Sequence, residues 1–488
     1  MINSNESEKE EVSEKDETSA GNCSAGIEGK KAENYSKRVE NHKVLLERYE
    51  QRLKNLDPEL ITPEDGIALK EAFLHAKEIF EPEELVSWFI VTTEPFYRSV
   101  SWKVLLPFYE ELLRIAEKEL GPDSAGTAAA LNGLAGIYRY KGDYEESLRL
   151  FSRALRIREM LGAERSETGD TLSELGTLYY LLERHEEARS SYIRALEIQG
   201  KFLSPENLGA VRTLNRMAFF YKGMEKPEIA EEFYTSALKL LEEFQEHEPE
   251  KRVVLVHKAG TLNNLGVLLS EMGKTEEAEE IYGQALKLQE KIYCTEHPQV
   301  AQTLNNIALL YFQTARYEKA LILYTGSLEM MEKFGKTEHT GFATTLNNLA
   351  GVYVQKGRYE KALELYQQAI EIRERILDPD HPDVAKTLNN LGELYRILGQ
   401  YKKALPLYIR ALDIYEKSLG PTHPDVGTTL NNLAGLRESL GEYEAAIDLY
   451  EKALDIIGKK YGIDHPYFKV TRNNLIGLYE KMERSWRK

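Results

Sequence analysis

The chain has 488 residues, too many for one ordinary hydrophobic core, so several domains or a repeat array are expected. Hydrophobic residues make up 42%, the level of a folded protein, which excludes wholesale disorder. With 63 basic against 80 acidic residues the net charge is −17, which disfavours non-specific binding to nucleic acid or an anionic membrane.

From the N-terminus, residues 1–34 hold nine acidic and four basic residues with almost nothing apolar, and are predicted to be disordered. They contain no apolar signal core, and no run in the chain approaches the ~18 apolar residues of a membrane span. The only cysteines, Cys23 and Cys294, give no disulfide framework and fit a reducing compartment. A cytoplasmic location is expected. Residues 35–101 read as an irregular helical cap in which Trp88, Phe89 and Trp102 pack. Residues 102–124 are a degenerate half repeat, because Leu106-Pro-Phe-Tyr109 through Leu120-Gly-Pro122 parallels Leu405-Pro-Leu-Tyr408 through Leu419-Gly-Pro421.

Residues 125–482 then repeat. Thr-Leu-Asn-Asn begins at Thr261, Thr303, Thr345, Thr387 and Thr429, each 42 residues after the last, and Thr471-Arg-Asn-Asn keeps the interval. Looser copies start at Ala130, Thr171 and Thr213; an insertion around Glu246 to His257 stretches one step to 48. Each unit reads as two antiparallel helices. In the sixth, Leu346, Leu349, Ala350 and Tyr353 make one apolar face, Gly357 ends the helix, and Ala362, Leu363, Tyr366, Ala369 and Ile370 make the answering face. Asp378 and Pro379 stop the second helix, and Asp380-His-Pro-Asp383 opens the next. A small residue recurs in the first helix (Gly176, Ala218, Gly266, Ala308) and a large aromatic in the second (Tyr192, Tyr234, Tyr282, Tyr324), as stacked hairpins require. Eight full units and a lone terminal helix are expected, with a short basic tail at 483–488.

This pattern resembles the tetratricopeptide repeat. The 42-residue period with Leu-Asn-Asn-Leu-Ala, Tyr-Glu-Lys-Ala and Leu-Gly-Pro-x-His-Pro is most similar to the kinesin light chain subclass, over residues 102–482. The resemblance implies an all-α fold, a right-handed solenoid of stacked helix pairs. The long N-terminal coiled coil of a motor light chain has no counterpart, since residues 35–56 lack sustained heptads. A stand-alone repeat protein is therefore expected.

Opposite the apolar face of each first helix lie both asparagines of the pair. In the family that stripe lines a concave groove, so the resemblance places Asn263/Asn264, Asn305/Asn306, Asn347/Asn348, Asn389/Asn390 and Asn431/Asn432 along it. Amides both donate and accept, and can pair with the backbone of an extended peptide; alternatively they bond to the neighbouring hairpin and fix the stacking. Positions that vary between units would give specificity: Phe219, Val267, Leu309 and Phe312, against Gly351, Glu393 and Gly435 later. Arg212, Arg216 and Lys222 share the stripe, with Arg139 two copies earlier, and are expected to receive acidic side chains of a partner. The carboxylate clamp of chaperone-binding relatives is not expected, because Asn132, Gly136 and Glu174 stand where it needs other residues.

Catalytic chemistry finds no support. His297, His339, His381, His423 and His465 recur one per repeat at helix starts, too far apart to share an ion, and read as capping or packing residues. Gly273-Lys-Thr275 and Gly335-Lys-Thr337 lack the glycine that a phosphate loop needs earlier, where Leu268 and Met330 stand. No enzyme, metal or cofactor is expected. The sequence points to a scaffold or adaptor that binds a partner protein or peptide, with no nucleic acid or membrane partner. The alternative is a ligand-responsive regulator that senses a peptide or small molecule.

Overall fold

In the computed structural model the described residues are 37–54, 56, 61–98, 102–162, 166–293, 297–377 and 379–486. The acidic segment 1–34, both cysteines and Asp378 lie outside them. The chain divides into two compact units, Met1–Pro249 and Glu250–Lys488.

The first unit begins with α1 (37–53), α2 (Pro63–Ile79), α3 (Pro82–Arg98) and α4 (Trp102–Ile115, continued by a π turn over Ala116–Leu120). Thr62 and Asp65 cap α2 reciprocally, the box that satisfies two free N–H groups at once. Phe89 is fully buried, Trp88 donates its indole N–H to Glu50 of α1 at 2.5 Å, and Trp102 packs on the same core. Three hairpins follow: α5 (Ala125–Lys141) on α6 (Tyr144–Met160), α7 (Ser166–Leu181) on α8 (His185–Gln199), and α9 (Gly209–Gly223) on α10 (Pro227–His247).

The second unit holds five more pairs: α11 (Arg252–Glu271) with α12 (Thr275–Ile292), α13 (Pro298–Gln313) with α14 (Tyr317–Lys333), α15 (Thr340–Gln355) with α16 (Tyr359–Ile376), α17 (Pro382–Ile397) with α18 (Tyr401–Leu419), and α19 (Pro424–Ser439) with α20 (Tyr443–Tyr461). The unpaired α21 (Pro466–Trp486) packs on α20. The inserted residues lengthen helices rather than forming a long loop: α11 runs 20 residues against 16 in the other first helices α13, α15, α17 and α19, and α10 runs 21 against 17–19 in the second helices α14, α16, α18 and α20.

Within a pair the tyrosine of the second helix lies on the small residue of the first. A Cβ added at Gly176 would meet the Tyr192 ring at 2.7 Å, and one at Gly266 the Tyr282 ring at 2.6 Å. These rings are buried, each removing roughly 150–250 Å² from water. The turn inside each pair needs a left-handed residue: glycine supplies it at Gly142, Gly273, Gly357, Gly399 and Gly441, whereas Glu183, Glu225 and Ala315 adopt it at φ 58°, 55° and 56°.

The recurring histidines start helices. His297, His339, His381, His423 and His465 each accept, through Nδ1, the backbone N–H two residues on, at 3.1–3.2 Å. Ring nitrogens thus take the capping role that Ser or Asp fills elsewhere.

Candidate functional site

The first helices of successive repeats are tied by a repeated rung. Thr303 Oγ1 donates to Asn263 Oδ1 at 3.2 Å, and Asn306 Nδ2 donates to the same oxygen at 3.1 Å. Thr345 reaches Asn305 at 3.1 Å, Asn390 reaches Asn347 at 3.0 Å, Asn432 reaches Asn389 at 3.3 Å and Asn474 reaches Asn431 at 3.0 Å. Within pairs, Asn347 donates to Asn348 at 3.2 Å and Asn431 to Asn432 at 3.1 Å. Asn474, Asn431, Asn432 and Asn389 therefore form one directional amide chain. The carbonyl oxygen of the first asparagine is committed to stacking. The second asparagine spends a donor there, and in Asn306 and Asn390 keeps its own oxygen as an acceptor. Asn264 is exposed.

Where three of these helices meet in the second unit lies a cavity of about 300 Å³. Leu309 and Phe312 of α13 form one wall, and Leu394 and Ile397 of α17 the other. Between them Asn347, Asn348 and Asn390 present amides. The cavity exists because α15 carries Gly351 where α17 carries Glu393: a Cβ there would touch only the Phe312 ring at 3.7 Å and the Tyr366 hydroxyl at 3.8 Å. Tyr366 of α16 thereby reaches the cavity. Burial, with Glu393 reinforcing it, raises the pKa of that hydroxyl, so it stays protonated and can donate. Glu393 itself is occupied by Arg396 at 2.7 Å and 2.8 Å and by the Tyr408 hydroxyl at 2.8 Å.

A second cavity, about 540 Å³, lies in the first unit. Here the rung is ionic: Arg216 donates to Ser173 Oγ at 2.9 Å and to Glu174 Oε1. Arg212 bonds Asp170 at 3.1 Å, and Arg158 reaches the Glu167 carbonyl and Thr171. Arg139 stacks on the Tyr140 ring at 4.5 Å and sits 3.6 Å from Glu174. Arg139, Arg212 and Arg216, expected to await a partner's acids, thus meet counter-charges within the chain. A buried cation is stable only when so compensated. Burial alone would raise the Glu174 pKa; Arg216 and Arg139 outweigh it and hold the carboxyl below the usual range. Gly136 of α5 leaves room in the floor, whereas the space beside Gly133 is taken by the Tyr109 ring, which a Cβ there would meet at 2.2 Å.

The remaining specificity residues do not join these cavities. Phe219 is exposed and meets Tyr180 edge-on at 6.0 Å, and Val267 and Lys222 line neither cavity. Tyr366, Val354 and Ile397 were not foreseen. The signal for Val354 and Ile397 is the run of groove-facing positions after the Asn pair, where glycine alternates with large residues; Tyr366 comes from the second helix, where its sign is the recurring tyrosine. Among the described residues no group of three or more His, Cys, Asp or Glu could hold a metal, and no helix is long and apolar enough to cross a membrane.

A comparison with curated protein sequences found no match. Among solved structures, the chain is similar to BtubC (BKLC) from P. vanneervenii, at 27% identity over 49% of this chain and 94% of that one, with a TM-score of 0.41. It is similar to kinesin light chain TPR-like repeats from Podosopora anserina, at 25% identity over 41% of this chain and 94% of that one, with a TM-score of 0.36. A signal transduction ATPase with a tetratricopeptide repeat sensor, PH0952 from Pyrococcus horikoshii, matches at 19% identity with a TM-score of 0.51. That match covers 77% of this chain and 53% of the other, and shows the shared fold alone. A family model described as tetratricopeptide repeat matches residues 102–160, 167–243, 258–333, 341–417 and 384–459. The small-on-tyrosine hairpins, the 42-residue period and this match over more than half its length make the chain a member of the tetratricopeptide-repeat family.

Proposed function

We propose that this chain is a non-enzymatic scaffold that holds an extended segment of a partner protein along its first helices. The supporting observation is the cavity at Gly351, which combines apolar walls with amides and a hydroxyl on one side. An apolar side chain of the partner enters between Phe312 and Ile397. Its neighbouring backbone N–H groups meet the oxygens of Asn390 and, two repeats earlier, Asn306. A peptide backbone recognised this way needs no particular side chain outside the pocket, and the variable positions around it select the anchor.

The test is affinity capture from the native host with the intact chain and two variants. Gly351→Leu fills the cavity with a good helix former, and the triple change Asn306, Asn348 and Asn390→Ala strips the amides. Circular dichroism establishes that both remain folded. A partner captured by the intact chain and lost by both variants supports the reading. A partner held equally by all three overturns it.

A further inference from the structure

We infer that the first-unit cavity is a separate subsite for an uncharged carboxamide, the side chain of a glutamine or asparagine in a bound peptide, bridging Arg139 and Glu174 from the cavity side. This goes beyond the proposal for Gly351 and uses none of its residues.

Charge comes first. The cavity wall carries Arg139, Arg158, Arg212 and Arg216, and against them Glu94, Glu167, Asp170 and Glu174, so it is formally neutral. A carboxylate or ammonium entering it would add one charge to a balanced, partly dehydrated set, and would have to displace an internal partner to find its own.

Hydrogen-bond capacity comes second. Two buried atoms of the wall have no hydrogen-bond partner, the acceptor Glu174 Oε2 and the donor Arg139 Nε. They belong to side chains in one loose ion pair, with Arg139 Nη2 and Glu174 Oε2 3.6 Å apart, beyond hydrogen-bonding reach. Both are held in place: Glu174 by the Arg216 guanidinium on its other oxygen, and Arg139 by the Tyr140 ring beneath it. A fixed donor beside a fixed acceptor is the complement of a group carrying an acceptor and a donor on one rigid plane, with no net charge. The primary carboxamide is that group among side chains. Pre-organisation of both partners removes the ordering cost that a flexible site would incur. At about 540 Å³, with Gly136 in its wall, the cavity exceeds one side chain and admits the adjoining peptide.

The experiment uses the full chain and three peptides, acetyl-Ala-Ala-X-Ala-Ala-N-methylamide with X as Gln, Glu or Lys, so that X alone can supply a primary carboxamide, titrated by saturation-transfer NMR. The Gln peptide is expected to bind roughly tenfold more tightly than either charged one, the effect of one unmatched buried hydrogen bond. Arg139→Met removes the orphan donor, leaves the Arg216–Glu174 rung intact, and is expected to erase the Gln preference and favour Lys. Gly351→Leu is expected to leave all three affinities unchanged. The inference is overturned if Glu or Lys equals Gln on the unmodified chain, if none of the three binds, or if the preference survives Arg139→Met. Loss of the Gln signal in Gly351→Leu would also overturn it, by moving the peptide to the other cavity.

Discussion

Among the described residues Arg373 is the largest fully buried side chain, 1% exposed near the end of α16, and none of their carboxylates forms a salt bridge with it. Its guanidinium donates to the Asp383 carbonyl at 2.6 Å, to Thr387 Oγ1, and to Thr344 Oγ1 at 2.9 Å, while Nε has no partner. Burial lowers its pKa, partly opposed by Asp383. Charged hydrogen bonds contribute about 1.5–3 kcal/mol each at best. Dehydrating the ion costs several kcal/mol and cancels most of that. The equivalent place holds Met331 in α14 and Ile457 in α20, so the fold accepts an apolar side chain there. Methionine at 373 would add about 2 kcal/mol of apolar burial. It would leave no hydroxyl stranded, because Thr387 also bonds the Asp383 carbonyl at 3.3 Å and Thr344 the Thr340 carbonyl at 2.9 Å. Arg373→Met is expected to stabilise the α15–α18 region by about 1–2 kcal/mol, and Arg373→Ala to destabilise it by about 2–4 kcal/mol through the cavity it leaves. Native-state hydrogen exchange of α16 and α17 amides in increasing urea reads both changes. A loss of more than about 1 kcal/mol in Arg373→Met would refute the reasoning, since the guanidinium bonds would then outweigh dehydration.

Ala315→Gly relieves a left-handed alanine at φ 56° and is expected to stabilise the α13–α14 hairpin by roughly 0.5–1 kcal/mol, read from the urea midpoint. Asn347→Ala removes the acceptor for Asn390 and the donor to Asn348 at a site only 4% exposed; it should cost about 1–3 kcal/mol, visible as faster exchange in α15 and α17 but not in α5. Glu174 has a depressed pKa in the folded state, so its stabilisation is present above the unfolded carboxylate value and is lost as pH falls through the folded one. The first unit is therefore expected to lose stability below about pH 4. Glu174→Gln should be less stable at neutral pH and show a flatter acid dependence, both measurable by thermal melts across pH.

The period, the paired helices, the glycine turns and the histidine helix starts were legible because each is a local pattern that recurs within one chain. The rungs were not. Asn390 meets Asn347 across 43 residues, one more than the period, so self-comparison shows which residues recur without showing which recurrences touch. The Arg216–Glu174 rung was hidden for a related reason: two opposite charges at the same place in consecutive repeats look like surface charge until the helices are stacked. Arg158 and Arg373 stood unremarked because their place in the second helix is shared with Gln199, Leu241, Met331 and Tyr415, a set too mixed to read. The cavities arise where a groove position shrinks to glycine, at Gly351 and at its counterpart Gly136. Substitutions to nothing are the weakest signal a sequence carries.

The one-residue overshoot of the rungs has a consequence for how such a chain can change in length. Every tether is defined relative to the neighbouring copy, and none to a fixed place in the molecule. If residues 340–381 were excised, His339 would run into Pro382, the same His-Pro start found at His381, and Asn390 would face Asn305 in place of Asn347. Copy number is thus free to drift in steps of 42, while a slip of a single residue would unhook the tether that spans it and leave those beyond it in register. The same asparagines that join one repeat to the next also keep count.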